Sequence, residues 1–431
     1  MSALGAEKRW AGARPEGPAP RPLTLAALPA ALGRLLDPAA GPLLPPVRAE
    51  VFGAQRFALH GHSLGLTHAA ERAGWRGSAF FPRLRDNIRM LRLAQGVLGA
   101  PLAGDEEPGP AAQWLLDNFA LIDAQLLAIH EGLPRGYFRS LPVLQAEPLA
   151  GLPRVYGVAW AFVAHADSAF DEDLLVHYLG GYQGARALGL AELWALPTTL
   201  RVVLVENLRR LAERLATRQA ARELARLCCE GPVPCSLATL QALCVPLAQR
   251  GVEDVFLEQL GQRLLDPLAS GAASGPRPEN AETAEPANAS ADPRAAPPAL
   301  RLWLAGRLPA AGLLPTRQNA EQTADNLSVS NAVNALRALN DADWPEIVAR
   351  SSPLTQWMLA DPLFAAEHHR SRDQTLHGIE ALARRSGRPE LEVAQALRAL
   401  IDEASGPLRA AQPGAAPSAL PHTAAAGHWL R

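Results

Sequence analysis

The chain has 431 residues, 48% of them hydrophobic, 19% charged and 5% aromatic, which is apolar material for two or three modest cores and excludes disorder throughout. Its 41 basic and 43 acidic residues give a formal net charge of −2, too balanced for a nucleic-acid clamp or for general attraction to an anionic bilayer. Lys8 is the one lysine among the cations, a codon-usage bias to which no chemistry is attached.

Residues 1–46 are rich in Pro, Gly and Ala and read as an irregular leader with one helix near Leu23 to Leu36. The charged start around Glu7, Lys8 and Arg9 is followed by no apolar run, so no secretory signal is expected. Helical periodicity then predicts helices over 83–98, 111–131, 155–166, 171–180, 192–215, 237–250 and 253–265. In 111–131 the stripe is Leu115, Phe119, Ile122, Leu126 and Ile129, and Gly132 and Pro134 stop it. In 192–215, Pro197 predicts a kink or a fresh start. The purest apolar run, Val155 to Ala164, is about half of the ~20 residues that a membrane helix needs, so no spanning segment is expected.

Gly, Ser, Pro, Glu and Asn dominate 266–299, which reads as a flexible linker or insertion. Helices resume over 326–339, 344–351, 353–360, 372–386 and 389–402, and 406–431 returns to Pro and Ala. Nowhere does an apolar/polar alternation run long enough to build a sheet. The expected fold is all-α: a helical domain at 47–265 and a second helical block at 300–405, joined by the linker and flanked by irregular tails.

Several clusters have the residue types of chemistry. His60, His62 and His68 lack the i, i+4 spacing of a helical zinc site and read as solvated or capping side chains. Cys228, Cys229, Cys235 and Cys244 contain no C-x-x-C and are too few and clustered for a disulfide framework, so buried thiols in a reducing compartment are expected. His165, Asp167, Asp171, Glu172, Asp173 and His177 carry acid/base types, but carboxylates where a helix begins are also stabilised by its free amides. Phosphate-binding loops and serine nucleophile elbows are absent. Arg135-Gly136-Tyr137-Phe138-Arg139 and Arg154-Val155-Tyr156 pair guanidinium forks with aromatic faces beside prolines. They can hold an anion or a sugar ring, dock a partner, or bridge elements within the fold.

A set of segments is similar to the N-terminal region of bacterial cyclic β-1,2-glucan synthases. They are Trp114 to Phe119, Leu133 to Pro142, Gly151 to Tyr156, His165 to Ser168, Glu192 to Arg201 and Glu206 to Ala212. Arg48-Ala49-Glu50 fits the start of that region, and Ala324 to Asn331, Arg370 to Asp373 and Ala383 to Gly387 resemble its later part. The likeness covers about 48–235 and 300–402, with Phe138, Ala166 and Ala169 departing from the pattern. The resemblance implies a complete system of membrane helices, a glucosyltransferase that uses UDP-glucose with a divalent metal, and a phosphorylase-like domain. This chain has neither the transferase's aspartate pair nor its Q-x-x-R-W-type segment, so no cofactor of its own is expected.

The reading is a non-catalytic, cytosolic helical domain at the inner face of the bacterial inner membrane, present as a fragment, a truncated frame or a split subunit. Its expected partner is the membrane-embedded transferase portion rather than nucleic acid, through a docking surface of Arg135, Tyr137, Arg139, Arg154 and Tyr156. The alternatives are an independent carbohydrate-active enzyme built on a carboxylate pair such as Asp167 and Glu206, and an unrelated helical scaffold.

Overall fold

The computed structural model describes residues 24–72, 79–100, 109–230, 235–265, 298–308, 313–411 and 425–430. Half of the leader, nearly all of the 266–299 segment and much of the C-terminal tail lie outside the described residues. Within them the chain is mostly helical, with eighteen α-helices and one two-stranded antiparallel ladder. That ladder, Ala70–Arg72 against Pro142–Leu144 with Ala70 opposite Leu144, is too short for the alternation rule to detect.

Two compact units are present, and their boundaries differ from the expected blocks. One unit takes 1–43 and 214–317, the other 44–213 and 318–431. The C-terminal helices thus join the larger N-terminal part instead of forming a block of their own. The reason is side-chain pairing across long sequence separations: Arg201 donates to the Leu339 carbonyl at 3.0 Å and to Asn340 at 3.1 Å, and Arg48 pairs with Asp325 at 2.9 Å.

In the smaller unit, Ser236 caps the Leu237–Arg250 helix by accepting from the Thr239 amide, and Gly251, in the left-handed region at φ 72°, ends it. Arg250 is buried and donates to the carbonyls of Leu35 and Gly41, which ties this helix to the Ala30–Leu36 segment. Glu253–Leu265 and Pro298–Arg307 pack together and share an Arg307–Glu253 pair at 2.9 Å.

The larger unit is organised on the Leu190–Glu230 helix, of which residues through Glu213 belong to it. Every residue from Val202 to Glu213 is buried, so this stretch has no solvent face. Pro197 lies inside the helix and does not end it, contrary to the fresh start that its sequence position allows. The predicted 111–131 helix is two, Pro110–Asp117 and Phe119–Glu131, broken at Asn118. The Arg154–His165 helix is buried over nearly its whole length beside this axis.

A second helix pair is set by absent side chains. Along Ala54–Thr67 and Glu172–Ala185 the backbones approach so closely that a Cβ on Gly61 would lie 2.3 Å from the Tyr178 carbonyl oxygen, and one on Gly181 2.0 Å from that of Ala58. No larger residue fits without parting the helices. Gly180, one position away, faces open space. Gly181→Ala is therefore expected to cost about 1–3 kcal/mol or more through overpacking, while Gly180→Ala should stabilise by about 0.5–1 kcal/mol through helix propensity. Urea unfolding of the two variants checks the opposite signs.

Candidate functional site

Glu206 sits on the part of the central helix that no water reaches, at 1% exposure. A carboxylate there is tenable only with its charge and lone pairs matched. Five donors do so. Arg83 approaches side-on, Nε to Oε2 at 2.8 Å and Nη2 to Oε1 at 2.6 Å; Asn87 Nδ2 and the Tyr156 hydroxyl reach Oε2 at 2.9 and 2.6 Å; Arg210 Nη2 reaches Oε1 at 2.8 Å. The Phe80–Leu98 helix supplies Arg83 and Asn87 four residues apart on one face. Trp160 covers the cations, with the Arg210 guanidinium carbon 4.8 Å and that of Arg83 5.9 Å from the indole centroid. Burial alone would raise the Glu206 pKa, but the hydrogen bonds and charges of Arg83, Tyr156 and Arg210 outweigh it and hold the carboxyl down at about 2. The same site pushes the Tyr156 phenol upward, chiefly by burial and then by the Glu206 charge.

One residue further on, Asn207 is fully buried and works as a clamp. Its Oδ1 accepts from the Val47 amide at 2.7 Å and its Nδ2 donates to Ser168 Oγ at 2.7 Å. Ser168 and Asp167 occupy the left-handed region at φ 64° and 45°, a conformation that costs non-glycine residues on the order of 1 kcal/mol or more each. The Ser328 hydroxyl donates to Asp167 Oδ1 at 2.5 Å, and Asn331 Nδ2 donates to the Asp167 carbonyl at 3.1 Å. The amides of Ala49 and Phe52 pair with the carbonyls of Ala164 and His165 at 2.9 and 3.0 Å. The segments at 48–50, 165–168, 206–212 and 324–331, far apart in sequence, thus meet in one hydrogen-bonded nucleus.

This arrangement fixes charges; it does not exchange protons. Glu206 is ionised with its acceptor positions filled, and Asp167 is committed to Ser328, so the pair weighed as glycosidase carboxylates does not offer an acid and a base to a substrate. Asp171 accepts from the Leu174 amide at 2.8 Å as an N-cap, and Asp173 pairs with Arg350 at 2.8 Å. His165 is stacked on Phe52, with ring centroids 3.9 Å apart, and His60 lies edge-on to both rings. Burial, followed by the Arg154 and Arg186 charges, lowers His68 to about 4, and its Nδ1 lies 3.1 Å from the Tyr182 hydroxyl. Among the described residues no group of three or more His, Cys, Asp or Glu side chains could hold a metal ion. All four cysteines are free, Cys228 and Cys244 buried.

The five residues expected on a docking surface separate. Arg154 is buried and bidentate on Glu192, with Nε 2.8 Å from Oε1, and its Nη2 also donates to the Ala187 carbonyl at 3.1 Å. Tyr156 is wholly buried on Glu206. These two are internal bridges and not surface residues, because each answers a carboxylate that the central helix would otherwise bury unpaired. Tyr137 is half-buried and donates to the Ala191 carbonyl. Arg135 and Arg139 are exposed on a six-residue helix, Arg135–Ser140. Sequence reasoning missed Arg83, Asn87 and Trp160; nothing in their local pattern marks them, and only the buried acid facing them gives them a role.

The chain is 28% identical over 367 residues to the cyclic beta-(1,2)-glucan synthase NdvB of Rhizobium meliloti (strain 1021), a stretch that takes in 83% of this chain and 12% of that protein. The chain therefore spans about an eighth of the length of the relative it matches. No protein-family model matches it. No helix among the described residues is long and apolar enough to cross a membrane.

Glu206→Gln removes the counter-charge of buried Arg210 and half-buried Arg83 and is expected to cost about 3–5 kcal/mol. Because the folded pKa lies below the ordinary value of 4.5, the stabilisation is fully present above pH 4.5 and fades as pH falls towards 2. That shift corresponds to roughly 3 kcal/mol. Urea unfolding of wild type and variant at pH 7 and pH 3 should show the gap between them narrowing at the lower pH.

Proposed function

We propose that this chain is a non-catalytic helical module of a cyclic β-1,2-glucan synthase system, which supports a membrane-embedded transferase instead of transferring glucose itself. The observation that carries the reading is what the segments that resemble those synthases do here. Those at 48–50, 154–156, 165–168, 192–201, 206–212 and 324–331 provide buried ion pairs and clamps between distant parts of the chain, and the acids Asp167, Glu192 and Glu206 are each paired within the fold. A sequence pattern spent on internal geometry suits a part whose shape matters to its neighbour. In the complete system, UDP-glucose and a divalent metal would act on the transferase portion, and this module would lie at the cytoplasmic face of the inner membrane. Incubation of the chain with UDP-glucose and Mg²⁺ or Mn²⁺ should yield no glucan; polymer above a buffer control would overturn the non-catalytic reading.

The surface left for docking is the Arg135–Ser140 helix, where Arg135 and Arg139 stand exposed and carry no ion pair among the described residues. Arginine is enriched at interface positions that contribute ~2 kcal/mol or more. Arg135→Glu with Arg139→Glu should abolish co-purification with the transferase portion and leave the melting temperature within a few degrees of wild type, since no buried group loses a partner. Co-purification retained by the double variant would reject this face.

A further inference from the structure

Beside the N-terminus of the Leu190–Glu230 helix lies a cleft of about 280 Å³ with walls that include Leu141, Leu188, Leu354 and Leu391. Three glutamates, Glu192, Glu380 and Glu390, also line it. Two of them have cations of their own: Glu192 holds Arg154, and Glu380 holds Arg384. Glu390 has none among the described residues. Among the described residues its oxygens accept from the Leu190 amide alone, at 3.1 and 2.9 Å. Arg384 and Arg388 line the cleft as well, but Arg384 is paired with Glu380, and Arg388 is 73% exposed and lies 3.9 Å from Glu392. A half-buried carboxylate without a counter-charge, beside two others and among leucine walls, is complementary to a cation on an apolar stem.

We propose that this cleft binds a basic side chain of a partner polypeptide, its guanidinium or ammonium pairing with Glu390 while the aliphatic stem lies along the leucine walls. The site needs nothing from the glucan-synthase relation, since it rests on the cleft and its unmatched acid. The electrostatics agree. Burial raises Glu390, the Leu190 amide opposes this, and the Glu380 and Glu192 charges add to it against Arg384, leaving it at about 7. Tyr137, near Glu380 and Glu192, is pushed above its ordinary range, first by burial, and stays neutral over the same interval. A cation would bind the ionised form of Glu390, so its affinity should rise with pH and its binding should release a proton. The ionised fraction of a group titrating at about 7 grows roughly tenfold between pH 6 and pH 8.

The test is calorimetric titration of the 431-residue chain with acetyl-Gly-Arg-Gly-amide and, separately, with butylguanidinium. The expected result is saturable binding of the peptide, about tenfold tighter at pH 8 than at pH 6, with an enthalpy at pH 7 that depends on the ionisation heat of the buffer. Glu390→Gln keeps an acceptor for the Leu190 amide and should weaken the peptide at least tenfold at pH 8. Glu392→Gln, outside the cleft, should leave it unchanged. Absence of saturation at pH 8, equal affinity at both pH values, or undiminished binding by Glu390→Gln would each overturn the site. Butylguanidinium binding more tightly than the peptide would overturn the assignment to a partner polypeptide. If Glu390→Gln fails to fold, the pH series and proton release of the wild-type chain decide alone.

Discussion

A helix with no solvent face has to neutralise every charge it carries, and from Val202 to Glu213 the central helix carries four: Glu206, Arg209, Arg210 and Glu213. Two are answered along the helix itself, Arg210 by Glu206 at 2.8 Å and Arg209 by Glu213 at 2.6 Å, both at i, i+4 spacing. The remaining acceptor capacity of Glu206 draws in Arg83, Asn87 and Tyr156, and Asn87 in turn accepts from Arg209 at 3.1 Å. The places of the Phe80–Leu98 and Arg154–His165 helices follow from this requirement. Apolar packing alone would let either helix rotate or slide; a five-donor carboxylate fixes both.

The same logic repeats along the axis. At its N-terminus Glu192 receives Arg154 and the Gly189 amide, the latter at 3.0 Å. One residue past Glu206, Asn207 pins the strained Asp167-Ser168 turn, and Ser328 and Asn331 complete it from the Leu313–Asp341 helix. Strain in such a turn persists only where the surroundings over-determine it. Here three polar side chains do so, which accounts for polar residues at positions where an ordinary helical core would place leucine.

Helix existence was largely legible in the sequence, because stripes such as Leu115, Phe119, Ile122, Leu126 and Ile129 declare a buried face from local spacing alone. Helix limits were less so. The break at Asn118 and the passage of the long helix through Pro197 depend on packing that no window of residues contains. Unit membership was not legible, since it is set by pairs such as Arg48 with Asp325, 277 positions apart. The candidate site was half legible. Arg154 and Tyr156 were singled out by type, but whether an arginine beside an aromatic faces solvent or a buried acid depends on Glu192 and Glu206, which lie 38 and 50 residues further on. Arg135 and Arg139, which meet no such acid, are the ones that stayed outside.

The most direct test of the view that Glu206 organises the fold is a double-mutant cycle on Glu206→Gln and Arg83→Met, read by urea unfolding at pH 7. If the carboxylate and its arginine form one desolvated unit, each single variant costs several kcal/mol and the double costs well below the sum, with a coupling of about 2 kcal/mol or more. Additive effects, or single variants within about 0.5 kcal/mol of wild type, would contradict it, since that is the behaviour of exposed pairs.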